Sequence, residues 1–364
     1  MNIALGEICS YRSEKANASN IGSEDLYIST ESMVPNKGGI STASSIPETG
    51  RVSLFRQGDT LVSNIRPYFK KIWHADQNGY CSNDILVFKP NDAIASDYLY
   101  WLLSGNQFFD YVMATSKGTK MPRGDKSAIM NYAVPSNDET ARRMIVSIMN
   151  PIQSKIEANT KLNGYLEELC DALFLDFLEQ ADSSWHEGTL EELAEVKYGK
   201  DHKKLADGPY PVYGSGGFMR SAEKSLFSGE SVLIPRKGSL NNVMYVNEPF
   251  WTVDTMFFTV PRIPGAAKFL YQYVKRLDLA SMNSGSAVPS MTTSILNALS
   301  LPVPPRDSLL SFNAKLQSMY DAVRANNLEN RRLESLRDSL LPKLMTGEID
   351  VSKIDLTQLN SHLA

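Results

Sequence analysis

The sequence predicts an α+β protein built twice, a β-rich head followed by a long helix and then the same pair again. Three observations predict it. The segment IEANTKLNGYLEELCDALF at 156–174 returns in degraded form as VRANNLENRRLESLRDSLL at 323–341. That offset of 167 superposes Ala158 on Ala325, Asn159 on Asn326, Asn163 on Asn330, Leu166 on Leu333, Leu169 on Leu336 and Asp171 on Asp338. Ahead of each copy lie short β-branched and aromatic runs punctuated by Gly, Pro, Asn and Asp, which read as strands. Inside each copy the apolar residues recur at three and four, the period of a helix face.

The heads repeat more faintly. GDTLVSNIRP from Gly58 parallels GESVLIPRKG from Gly229, YCSNDILVF from Tyr80 parallels FWTVDTMFF from Phe250, and DYLYWLL from Asp97 parallels KFLYQYV from Lys268. TLVSNI, DILVFKP, SVLIP and TMFFTV are the predicted strands, and DYLYWLLSG and AAKFLYQYV give each head one short helix. A repeating unit of about 170 residues is far longer than any solenoid repeat.

In the first helical segment Ile145, Ile148, Ile152, Leu162, Leu166, Leu169 and Leu173 form the stripe; in the second it is Phe312, Leu316, Met319, Val323, Leu333, Leu336 and Leu340. A stripe of this kind must be buried, and because the two match, each is the natural partner of the other. The expectation is an antiparallel coiled coil inside one chain, with approximate two-fold symmetry. Pro151, behind Asn150, is expected to open the first helix and leave the segment ahead as a separate helix or a kink. Pro342 should bend or end the second, with Gly347 as its C′ residue. Asn159 and Asn326 fall on the stripes, and two readings stay open: a buried pair that sets register, or edge residues facing water. The expected division is a first head at 1–138, a central helical segment at 139–185, a second head at 186–305, a helical segment at 306–350 and a tail at 351–364. A helix from Pro151 to Ala181 would span roughly 45 Å. Half-sites one turn apart on B-DNA are about 34 Å apart, so such helices could hold two recognition surfaces at DNA spacing.

With 364 residues, 42% hydrophobic and 21% charged, the chain can bury more than one core. Its formal charge of -4 argues against a uniformly basic surface, so any anion would be met by local loops. Residues 139–185 hold 4 basic and 8 acidic side chains, whereas 1–138 hold 13 and 14 and 186–305 hold 12 and 11. No apolar run approaches the ~20 residues of a membrane span and the start lacks a signal-peptide pattern, so no membrane role and a cytoplasmic location are expected. Cys9, Cys81 and Cys170 are odd in number and widely spaced, which predicts packed thiols rather than a disulfide or zinc framework.

The basic clusters all fall in the heads, in or beside loops with Gly or Pro. They are RPYFKK with Arg66, Lys70 and Lys71; KGTKMPRGDK with Lys117, Lys120, Arg123 and Lys126; KYGKDHKK with Lys197, Lys200, Lys203 and Lys204; and Arg236 with Lys237. Such residues contact phosphates, and Arg can read base edges. Any one cluster is more often a solvated loop, but their recurrence at matching places in the two heads points to DNA. Arg66, Lys70, Lys71, Lys117, Lys120, Arg123, Lys203, Lys204, Arg236 and Lys237 are therefore the candidate DNA-binding residues. The motif YGSGGF at 213–218 lacks the spacing of a phosphate loop and reads as a glycine turn between strands. Its flanking Tyr213 and Phe218 are assigned to the core in preference to base stacking. His74, His186, His202 and His362 have no partners at metal-ligand spacing, and no nucleophile, zinc, dinucleotide or adenine-methylation motif occurs. No catalytic residues and no metal are expected.

The duplicated layout, the EANTKLNGYLEELCDALF helix, the closing LESLRDSLLPKLMTGEI and the SKGTKMPRGD…AVP stretch resemble the DNA-specificity subunit of type I restriction-modification systems over nearly the whole chain. The resemblance implies a non-catalytic subunit with two target-recognition domains, each reading half of a split double-stranded DNA target. It implies that helices 156–174 and 323–341 act as spacer and as docking surface for two adenine methyltransferase subunits, with endonuclease subunits joining. S-adenosylmethionine and ATP would belong to those partners and not to this chain. The loop KGTKMPRGD is carried over to the first recognition domain, whereas its counterpart NSGSAVPSM lacks Lys and Arg. The competing reading is a two-headed protein scaffold without DNA contact.

Overall fold

Runs of residues buried on both faces build the two central strands of the same four-stranded sheet in each half of the chain. The structure is a computed structural model that describes residues 2–282 and 290–351. In the first half the strand order is Cys9–Tyr11, Ile85–Pro90, Thr60–Ser63, Ile72–His74; in the second it is Ala194–Tyr198, Met256–Pro261, Glu230–Pro235, Met244–Asn247. All pairings in these sheets are antiparallel. A second sheet accompanies each, four-stranded in the first half and three-stranded in the second. A two-stranded ribbon, Asn2–Ala4 with Ala133–Pro135 or His186–Thr189 with Ser300–Val303, ties the start of each head to its end. The predicted strands and the short helices Ser96–Ser104 and Ala266–Val274 are present. The helix Asn106–Ala114 was not foreseen.

Two long helices complete the α+β fold, Glu139–Glu179 and Arg306–Thr346, each of 41 residues. Asp138 caps the first, its carboxylate accepting from the Ala141 amide at 2.8 Å. Contrary to the sequence expectation, Pro151 lies inside one continuous helix rather than at its start. Ile148, Met149 and Ile152 are buried on both sides of it, and Asn150 is held by Trp101 and Asp97. That burial outweighs the single backbone hydrogen bond a proline forgoes. Pro342 is likewise internal to its helix, which ends at Thr346 before Gly347 at φ +74°.

The chain divides into two units, one of residues 1–159 and 328–364 and the other of 160–327, and each long helix contributes to both. In the first unit Ile152 and Ile156 pack with Leu333, and Arg337 donates to Gln153 Oε1 at 3.0 Å. Asn159 Nδ2 donates to Asn330 Oδ1 at 2.9 Å and to Glu329 Oε2 at 2.7 Å. In the second unit Asn326 Nδ2 donates to Asn163 Oδ1 at 2.8 Å, Cys170 meets Met319, and Phe177 stacks on Phe312 with centroids 4.4 Å apart. Partner numbers fall on one helix as they rise on the other, so the pairing is antiparallel in both units. The offset of 167 converts the Asn159–Asn330 pair into Asn326–Asn163: one polar interaction, written twice by the duplication.

The seam therefore runs through Ile152, Ile156, Asn159, Asn163, Cys170 and Phe174, and this corrects the predicted stripe. Leu162, Leu169 and Leu336 are 47%, 49% and 40% exposed. Leu333 is buried, while Leu166, Leu173 and Leu340 are half-buried. Periodicity alone could not separate two adjacent stripes, and the asparagines mark the one that is buried. Replacing Asn330 by Ala removes an acceptor from Asn159 and a donor from the Ile156 carbonyl. It should cost about 1–2 kcal/mol, whereas Leu at both 159 and 330 should be neutral or stabilising; urea unfolding midpoints measure the difference.

Each head is fastened to its helices by a core and a polar key. In the first unit Trp101, Leu99 and Phe109 join Ile145, Met149, Leu341 and Leu344 in one cluster. There Trp101 Nε1 donates to Asn150 Oδ1 at 2.7 Å, and Asn150 Nδ2 to Asp97 at 2.8 Å. In the second unit Phe269, Phe257, Phe174, Phe312 and Leu316 cluster. The position matching Asp97 is Lys268, fully buried, whose ammonium donates to Glu230, to Asn313 Oδ1 at 2.7 Å and to Gln317 Oε1 at 2.9 Å. The three cysteines are buried and unpaired, and burial pushes the Cys9 and Cys81 thiols up to about 12 and Cys170 to about 11.

Candidate nucleic-acid interface

In the first unit the two predicted basic segments form one surface. The strand Thr60–Ser63 leads into a single 3₁₀ turn at Pro67–Phe69, bounded by Arg66 and Lys70, both left-handed at φ 50°. The KGTKMPRGD loop closes on itself, with the Lys117 and Arg123 amides each donating to the other's carbonyl at 2.9 Å. It then leans on the first segment through a bridge between Ile65 and Arg123 and through the Arg66 amide, which donates to the Pro122 carbonyl at 2.9 Å. Gly124 makes this approach possible, because a Cβ there would lie 2.8 Å from Asn64 Oδ1 and Val112 Cγ1.

The side chains of this surface fall into three groups. Arg66 and Lys120 are exposed and have no side-chain partner among the described residues. Lys117 and Arg123 are exposed but paired, at 2.5 Å with Asp125 and 3.2 Å with Asp84. Lys117, together with the Ala128 and Ser127 amides, holds the Asp125 carboxyl down to about 2. Lys70 donates to Asn106 Oδ1 at 2.9 Å and Lys71 to the Thr30 carbonyl at 2.6 Å, so both brace the loop. Burial lowers the Lys71 pKa. Three apolar side chains sit among these cations: Tyr68, Phe69 and Met121 are 47%, 36% and 45% exposed.

The second unit repeats the placement with different chemistry. Arg236 and Lys237 follow the strand Glu230–Pro235, as Arg66 follows its counterpart. Their backbone meets the segment ahead of the short helix Thr293–Asn297, with Lys237 bridged to Ser290 and Arg236 O accepting from Met291. Ser290 stands where the first unit has Arg123. Most of NSGSAVPSM, residues 283–289, lies outside the described residues, as does His362. The Arg236 guanidinium sits 5.5 Å from the centroid of the half-exposed Tyr198 and donates to the Asp254 carbonyl at 3.2 Å. YGSGGF is the expected hairpin turn, between Tyr210–Gly214 and Gly217–Ala222, with Gly217 at φ +106°. Asn242 Nδ2 donates to the Ser215 carbonyl at 2.8 Å, which sets this turn beside the Lys237 loop. Phe218 is 55% exposed, correcting its assignment to the core, while Tyr213 donates to Glu248 at 2.8 Å. Lys203 and Lys204 are exposed on a loop tied to Arg220 through the Leu205 carbonyl, not to Arg236.

Sequence reasoning singled out the cations but missed Tyr68, Phe69 and Tyr198. The available signal was an aromatic residue inside a basic run. Among the described residues no three His, Cys, Asp or Glu side chains come together as metal ligands. No helix there is long and apolar enough to cross a membrane.

These features define an internally duplicated α+β protein in which each unit carries a basic and aromatic loop surface on an antiparallel helix pair. Residues 182–336 match the model of the type I restriction modification DNA specificity domain. The chain is 23% identical to the type I restriction enzyme HindI specificity subunit of Haemophilus influenzae, over 89% of this chain and 94% of that one. It is 25% identical to a putative type I specificity subunit of Mycoplasma genitalium, over 77% and 79%. A crystal structure of the type I restriction-modification S subunit from M. genitalium has the same fold, with a TM-score of 0.55 at 17% identity over 95% of this chain and 96% of that one. Over most of its length the chain is thus similar to type I restriction-modification specificity subunits.

Proposed function

We propose that this chain is the non-catalytic DNA-recognition subunit of a type I restriction-modification complex, each unit reading one half of a bipartite double-stranded target. The observation that carries this reading is the repeated placement of a cation just after the same strand, Arg66 in one unit and Lys237 in the other, each beside the loop that precedes a short helix. A shared scaffold with divergent loop chemistry suits two heads that read unlike half-sites. In this reading S-adenosylmethionine and ATP are used by methyltransferase and endonuclease subunits, and this chain supplies only address and assembly.

The methyltransferase subunits dock on the long helices. Leu162, Tyr165 and Leu169 lie at helical spacing on one face and are 47%, 55% and 49% exposed, an apolar stripe left over once the seam is buried. Changing all three to Ser should abolish co-purification of a co-expressed methyltransferase subunit while the thermal midpoint of the chain itself moves little. Retained assembly would remove the stripe from the docking surface. For DNA recognition, binding of the assembled complex to a duplex library should enrich one split motif and weaken steeply with salt. Absence of any enriched motif would favour a protein scaffold, in which case Ala at Arg66, Lys70 and Lys71 leaves function intact.

A further inference from the structure

We propose that Tyr68 and Phe69 form a rigid aromatic wedge that enters the first half-site at a base step, and that Lys37 is the positioning residue that holds it. The inference rests on the DNA-recognition reading above and adds a structural distortion to it. Apolar side chains that enter between bases unstack them and bend the duplex.

Exposure and surroundings single out the tip. Tyr68 and Phe69 are adjacent, 4.7 Å apart between ring centroids, and stand out from a turn whose Pro67 is buried. Neither ring belongs to a core cluster, yet Lys71 Nζ lies 5.8 Å from the Phe69 centroid, Arg66 directly precedes the turn, and the Arg66 amide bonds the basic loop that carries Lys120 and Arg123. Asp84 and Asp125, the carboxylates at this rim, already hold Arg123 and Lys117. A half-exposed apolar tip ringed by positive charge is matched to a polyanion whose interior is a stack of aromatic faces.

Backbone strain supplies the second, independent observation. Among the described residues, every non-glycine with positive φ lies in this turn or in the loop clasped to it: Arg66 and Lys70 at 50°, Asn36 at 57° and Lys37 at 64°. The two loops are bonded at these residues, the Asn36 amide donating to the Phe69 carbonyl at 2.8 Å and the Lys37 amide to the Lys70 carbonyl at 2.9 Å. Such conformations persist only where the surroundings over-determine them, and they gather at functional sites.

The anchor for this strain is an ion pair whose lysine is buried and whose carboxylate is partly exposed. Lys37 is 4% exposed and its ammonium donates to Asp338 Oδ1 at 2.8 Å on the second long helix. Asp338 also accepts from Arg337 Nε at 3.0 Å, and Arg337 reaches Gln153 of the first long helix at 3.0 Å. The wedge is thus tied to both helices of its own unit through one lysine. A loop meant only to follow phosphates would not need fixing of this kind, whereas an element that must force bases apart cannot yield when it meets them.

The test is permanganate oxidation of unstacked thymines in a duplex carrying the motif recovered from cells that express the complex. Wild-type complex should make at least one thymine reactive in the half-site read by the first unit. Y68A/F69A should abolish that reactivity and weaken specific binding about tenfold or more, with the salt slope unchanged. F69L, which keeps an apolar tip, should retain it. K37M, which keeps the buried stem and removes the ion pair, should lower the reactivity while F69L complex run in parallel does not. Tight specific binding with no reactive thymine, or reactivity only at thymines that stay reactive in Y68A/F69A, would overturn the wedge and leave the DNA reading standing. Failure of wild-type complex to bind any duplex specifically would remove both.

Discussion

Replacing Lys268 by Ala will destabilise the second unit by about 3–5 kcal/mol, the cost of breaking a buried ion pair from one side. Lys268 is fully buried, and its ammonium is shared by Glu230, Asn313 and Gln317 while Tyr245 and Tyr320 turn ring faces toward it at 5.7 Å and 5.6 Å. Ala would leave Glu230 with only the Tyr245 hydroxyl, which donates to it at 2.6 Å, and would open a cavity beneath the short helix. Lys268→Met fills that cavity but not the charge deficit, so it should recover part of the loss. The matching change in the first unit, Asp97→Ala, should cost only about 1 kcal/mol, because Asp97 is 38% exposed at its side chain and its donor Asn150 keeps Trp101. Urea unfolding, followed by hydrogen exchange over 96–104 in the first unit and 256–274 in the second, reports both. Equal losses at the two positions would contradict the asymmetry assigned to the two keys.

Changing Arg66, Lys120 and Arg123 together to Ala will weaken specific DNA binding by the assembled complex about 100-fold or more. A side chain that grips a base edge or a phosphate is worth about 1–3 kcal/mol, and 1.4 kcal/mol is tenfold. Where the cations grip phosphates, the salt slope falls by about 0.9 for each one removed. Stability should change by less than about 0.5 kcal/mol, since all three are exposed and none supports the core. Lys70→Ala and Lys71→Ala should behave differently. Each removes a brace, from Asn106 or from the Thr30 carbonyl, so binding falls through loss of loop shape. A triple variant that binds as wild type does would take these residues out of the interface.

The duplication was legible because a helix face and a strand each leave a period in the sequence, and the helices repeat at an offset of 167 while the heads repeat at 170–171. Strands such as Glu230–Pro235 and helices such as Ala266–Val274 lie where their patterns put them. The predicted stripes hold at Ile145, Ile148, Ile152, Phe312, Leu316 and Leu333 and miss by one face at Leu162, Leu169 and Leu336. Leu162 and Asn163 are neighbours, and hydrophobicity favours the leucine, but the leucine is exposed and the asparagine is buried in an amide pair. An apolar residue kept for a partner cannot be told from a core residue by periodicity. Pro151 misled for a related reason, since local propensity was overridden by tertiary burial on both sides of it. At the candidate interface the cations could be read but their state could not. Asp84 lies 39 residues from Arg123 in sequence, and Lys37 lies 301 from Asp338, so only the fold reveals which charges are spent.

If two unlike units of one chain each read half of a split DNA sequence, the pattern of methylated adenines in the cell will carry both halves, and sequencing of those adenines reads it out. Cells carrying the intact gene should show methylation at a single bipartite motif that vanishes on deletion. Ala at Arg66, Lys120 and Arg123 should relax or abolish one half of that motif, and Ala at Arg236 and Lys237 the other half. Methylation that persists after deletion, or a motif without a gap that responds as a whole to either set of changes, would refute bipartite reading by this chain.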